Sequence, residues 1–77
     1  MLKDDRVFLC DVVPSCNTYE VIELVIRTVG EDYAVGVDEK TKQAHLFKFD
    51  MLDKYVFTTR FDAVEALKIL RAENEND

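Results

Sequence analysis

The chain has 77 residues, 48% of them apolar, with two glycines and one proline. That is one domain's worth of sequence, too apolar for a disordered chain. Ten lysines and arginines stand against 16 aspartates and glutamates, a net charge of −6, which speaks against nucleic acid and anionic membranes as partners because both attract basic surfaces. No run is long and apolar enough to span a bilayer. The first residues lack the apolar core and cleavage site of a secretory signal. The two cysteines, Cys10 and Cys16, make no disulfide framework. A cytoplasmic protein with free thiols and no membrane contact is expected.

Residues 1–5 are mostly polar and read as a loose N-terminus. Residues 6–13 read as a first strand built on Val7, Phe8, Leu9, Cys10, Val12 and Val13, with Asp11 implying that one face meets water. Pro14, which cannot donate to a central ladder, starts a break that runs through Ser15, Cys16 and Asn17. Residues 19–29 form the longest strand. Strict alternation sends Ile22, Leu24, Ile26 and Thr28 inward and Tyr19, Val21, Glu23, Val25, Arg27 and Val29 outward. A strand of that length in so small a domain should bend or coil, as in a small barrel.

Gly30 then suits the first position of a type II′ hairpin turn, which needs a positive φ. In the third strand, residues 33–37, Tyr33, Val35 and Val37 share one face and Ala34 and Gly36 the other. The small pair predicts a bulky neighbour on its side, with the helix as the expected one, or a bend of the strand at Gly36. The polar loop 38–42 calls for one left-handed residue, assigned to Lys42. Residues 43–49 make a fourth strand, 50–54 a turn and 55–58 a short fifth strand.

At Thr58 the pattern changes from aromatic and β-branched residues to alanine and leucine at helical spacing. Thr59 is the expected N-cap, with Asp62 three residues on, near the positive end of the helix dipole. Phe61, Val64, Leu67 and Leu70 define a buried stripe, widened by Ala63, Ala66 and Ile69. The helix is expected over 60–72 and a frayed acidic tail over 73–77. The predicted fold is α+β: a small, twisted antiparallel β-meander or barrel-like sheet of five strands with one C-terminal helix.

The sequence offers no catalytic, cofactor or metal constellation. His45 is the single histidine, and between Ala44 and Leu46 it reads as a packing residue. The Cys10–Cys16 spacing matches no zinc pattern. Asp50 and Asp53 read as turn chemistry, and two glycines cannot build a phosphate loop. Tyr19, Tyr33, Tyr55, Phe47, Phe49 and Phe57 could form an aromatic platform, but a domain this small needs most of them in its core. The candidate contact surface is the strand face carrying Val21, Glu23, Val25 and Arg27, together with the sheet edges.

The runs Tyr33-Ala34-Val35-Gly36-Val37-Asp38, Ala44-His45-Leu46-Phe47 and Val56-Phe57-Thr58-Thr59-Arg60, followed by Ala63 and Ala66-Leu67, resemble small uncharacterised proteins of gut Firmicutes and their prophages or mobile elements. The resemblance spans residues 19–70. It implies a strand-to-helix cap and a tyrosine hairpin, but no activity and no functional residues. A fold-level likeness to small Src-homology-type barrels leans toward binding. The expected function is a non-catalytic protein-interaction or regulatory module acting on a protein partner or on itself. The alternatives are a small barrel that binds nucleic acid and a thiol enzyme using Cys10 or Cys16 with His45.

Overall fold

The computed structural model describes residues 1–75, and the side chains of residues 1–73. Five strands, β1 (Arg6–Val13), β2 (Thr18–Val29), β3 (Tyr33–Asp38), β4 (Ala44–Lys48) and β5 (Val56–Phe57), precede one helix, α1 (Arg60–Glu75). The strands form one antiparallel sheet in the order β4-β3-β2-β1-β5, curled into a half-barrel. β1 to β4 are a meander, and β5 returns to the far edge beside β1. The α+β class, the five strands and the C-terminal helix agree with the sequence reading.

The concave face holds the larger core: Val7, Leu24, Ile26, Ala34, Phe47 and Val56, each at most 1% exposed. Burying each large side chain of this set stabilises the fold by about 1.5–3 kcal/mol. Because β4 and β5 are at opposite edges, the chain between them must cross the open side of the half-barrel. It does so through a 3-10 turn, Phe49–Met51, and Phe49, Met51 and Leu52 pack onto the concave core as they pass. The crossing segment closes the half-barrel with side chains where a full barrel would use strand pairing.

The helix lies on the convex face, against β1, β2 and β5. There Cys10, Phe57 and Ala63 are buried, surrounded by Phe8, Val12, Val21, Ala66, Leu67 and Leu70. This corrects two expectations. The bulky neighbours of Ala34 and Gly36 belong to the concave core and not to the helix: a Cβ on Gly36 would meet the Leu24 Cβ at 2.8 Å. And β1 has no water-facing side along most of its length, since Val7 and Leu9 point into one core while Phe8, Cys10 and Val12 point into the other. Asp11, half-buried, follows Leu9 on the concave parity of the strand, past the residues that pack into that core.

Alternation along β2 holds as far as Ile26, opposite Gly36, where a β-bulge shifts the register so that Thr28 faces Val35 and Val29 faces Ala34. Thr28 is exposed as a result, not inward. The bulge is tied to the N-terminal segment, read as loose: Asp4 N–H donates to the Ile26 carbonyl (2.7 Å) and Ile26 N–H to the Asp5 carbonyl (2.8 Å). Bulges of this kind bend a strand and raise its twist. Gly30 has no positive φ. It makes room for the Tyr33 ring, which a Cβ there would displace. Lys42 does adopt the left-handed conformation, at φ 63°.

Thr59 caps the helix, its Oγ1 accepting from the Asp62 N–H at 3.2 Å. The buried stripe differs from expectation. Ala63, at 0% exposed, leads it with Ala66, Leu67 and Leu70, whereas Phe61 and Ile69 face solvent at 71% and 61% exposed. Only an alanine lets the first turns of the helix approach β1 this closely. The helix continues through Glu75, beyond its expected end at residue 72, and the last two residues of the expected tail lie outside the described residues.

Gly36→Ala is expected to destabilise the domain by about 1–3 kcal/mol in urea unfolding, since the atom it meets is fixed to the β2 backbone. Gly30→Ala should cost less, because the Tyr33 ring can rotate away. Equal costs would contradict this reading.

Candidate functional site

Of the four contact candidates on β2, Val21, Glu23 and Val25 lie on the convex face by the parity of the strand, and Arg27 sits in the bulge. What covers that face was not foreseen. Val21 packs under the helix, and Val25 is 6% exposed. Glu23, at the rim of the helix, accepts from Arg6 Nη1 at 2.8 Å and from Arg60 Nη2 at 3.3 Å. Arg6 also reaches Glu39 at 3.5 Å, and the Arg60 guanidinium sits 5.0 Å above the centre of the Phe8 ring. The network joins β1, β2, the β3–β4 loop and the start of the helix, and its exposed pairs each contribute at most about 1 kcal/mol. Arg27, in the bulge, is exposed and lies 3.4 Å from Asp4. Of the four, the two valines serve internal packing and the two charges serve internal ion pairs.

A groove of about 290 Å³ adjoins this network, lined by Glu20, Glu23, Asp38, Glu39, Lys40 and Arg60 among others. Among the described residues no cluster of His, Cys, Asp and Glu is arranged to hold a metal ion.

Cys10, Cys16 and His45 are not brought together. Cys10 is on the convex face of β1, where its thiol donates to the Ala63 carbonyl at 3.3 Å. Cys16 is exposed in the Pro14–Cys16 turn. His45 is on β4, three strands away from β1, opposite Gly36 and on the parity of Phe47, hence on the concave face. Its Nε2 is buried without a hydrogen-bond partner. Burial pushes the Cys10 thiol above its ordinary pKa, which lowers the thiolate fraction that a nucleophile or metal ligand needs.

The aromatic residues are similarly dispersed. Phe47 is in the concave core and Phe57 in the convex one. Tyr19 lies under the Arg71 guanidinium at 5.5 Å, and Tyr33 lies over Gly30.

Exposed apolar side chains are scattered, with Leu2, Phe61 and Ile69 among the most exposed. Leu46 on β4 is 64% exposed, on the convex face beyond the reach of the helix and opposite Val35. Its outward direction was legible in the sequence, since Phe47 beside it is the obvious core residue and neighbours on a strand face opposite ways. Asp53, at φ 64° with its N–H bonded to the Val56 carbonyl, is turn chemistry as read.

Among the described residues no helix is long and apolar enough to cross a membrane. The chain matches no protein-family model, no curated protein and no solved structure.

Two measurements check this geometry. The Cys10 pKa is raised in the folded state, so the unfolded thiol ionises first as pH rises, and stability is lost upward from the ordinary thiol range, about 8.5. Cys10→Ala should flatten that alkaline fall in chemical-denaturation curves, and an unchanged slope would contradict the burial argument. Glu23→Gln, which weakens two pairs, should cost no more than about 2 kcal/mol, with the difference shrinking as salt is added.

Proposed function

We propose that this chain is a non-catalytic protein-interaction module. The observation that carries the reading is the division of the convex face. The helix covers the part formed by β1, the first half of β2, and β5. The part formed by β3 and β4 has no such cover, and its exposed Leu46 adjoins the free edge of the sheet. Exposed apolar side chains beside an unpaired strand edge are what a partner protein can use. The separation of Cys10 from His45, and the raised pKa of the thiol, weigh against a thiol enzyme. An accessory or regulatory role in a mobile element is the setting that the sequence resemblance implies.

The test is an affinity pull-down from source-cell lysate at near-physiological salt, with and without nuclease. A stoichiometric protein that survives nuclease is expected. Recovery of nucleic acid, or of proteins lost on nuclease treatment, would overturn the reading in favour of a nucleic-acid-binding barrel.

A further inference from the structure

The β4 strand ends the sheet, and its backbone hydrogen bonds reveal which groups are spare. Phe49 N–H donates to the Asp32 carbonyl, and the Gln43 carbonyl accepts from Asp38 N–H. The β3–β4 register is unbroken between these two bonds. Odd-numbered residues therefore turn their backbone groups toward β3. Ala44, Leu46 and Lys48 turn theirs outward, where no further strand follows. The edge thus offers three N–H donors and three carbonyl acceptors at alternate positions.

Side chains define what would fit there. Leu46 stands exposed at the middle of the edge. Lys48 ends it on one side, and Lys42, held left-handed, ends it on the other. Among the described residues neither lysine takes part in an ion pair. In a chain of net charge −6, the outward positions of β4 carry Leu46 and Lys48 and no carboxylate, with Lys42 in the loop before the strand and Asp50 in the turn after it.

We propose that the β4 edge docks an extended, acidic segment of a partner protein, which adds to the sheet as another strand. The proposal rests on the interaction-module reading and gives it a place and a chemistry. The added strand exchanges main-chain hydrogen bonds with Ala44, Leu46 and Lys48, sets an apolar side chain beside Leu46, and brings carboxylates to Lys42 and Lys48. A second copy of this chain fits less well. Antiparallel pairing of two β4 edges about Leu46 sets Lys48 opposite Ala44 and Lys42 opposite Asp50, so Lys48 finds no carboxylate directly across from it, whereas an acidic strand supplies one at each lysine. The same charges select an acidic strand.

The test uses the whole chain labelled with nitrogen-15 and two short capped peptides, one alternating valine and glutamate, the other valine and lysine. The glutamate peptide should shift the amide signals of Ala44, Leu46 and Lys48 most and slow their exchange with solvent, and the lysine peptide should not. Leu46→Pro should abolish binding while the sheet stays folded, because the N–H it removes faces solvent. The double variant Lys42→Glu with Lys48→Glu should lose about tenfold or more in affinity for the glutamate peptide and gain affinity for the lysine peptide. Equal binding of both peptides, binding elsewhere, or none would overturn the proposal. If a protein recovered in the pull-down binds these variants as tightly as the original chain, the edge is refuted and the module reading stands. If no protein partner is recovered, the module reading itself fails.

Discussion

The structure depends on β1 having both faces buried. Val7 and Leu9 enter the concave core, and Phe8, Cys10 and Val12 meet the helix. One strand is therefore a wall of two cores. β5 repeats the device in two residues, Val56 inward and Phe57 outward, both buried. The tight fit of Ala63 against β1, with the Cys10 thiol bonded to its carbonyl, holds the helix to the strand that the concave core also needs.

Two consequences follow from that arrangement. The helix is committed to the β1 side of the convex face, so the β3–β4 side is left without cover. The chain must also travel from β4 to β5 across the mouth of the half-barrel, and Phe49, Met51 and Leu52 turn that crossing into the last part of the concave core. Closure by side chains leaves the β4 edge unpaired. The unpaired β4 edge is thus a by-product of how the two cores are built.

The parts of this fold that were legible in the sequence are those set by local chemistry. The strand runs, the Thr59 cap, the left-handed Lys42 and the change from strand to helix near Thr58 all depend on neighbours a few residues away. The misread parts depend on distant ones. Ile26, at the bulge, accepts from Asp4 N–H and donates to the Asp5 carbonyl, partners more than twenty positions earlier by the count along the chain. Gly30 leaves room for a ring three residues on and has no positive φ. Ala34 and Gly36 were rightly read as making room, but for Leu24 and Phe47 of the concave core rather than for the helix. Parity correctly turned Val21 and Val25 to the convex face, but parity cannot say what lies over a face. Phe61 carried the strongest apolar signal in the helix and is exposed, because close approach to β1 favours the small Ala63.

The most direct test of the two-core account is native-state hydrogen exchange read residue by residue under increasing urea. If β1 joins the cores, its amides and those of Ala66, Leu67 and Leu70 should exchange through the same opening, with one free energy equal to that of global unfolding. A helix that opens at much lower free energy while β1 remains protected would contradict it, showing that the concave core holds the sheet without the convex one.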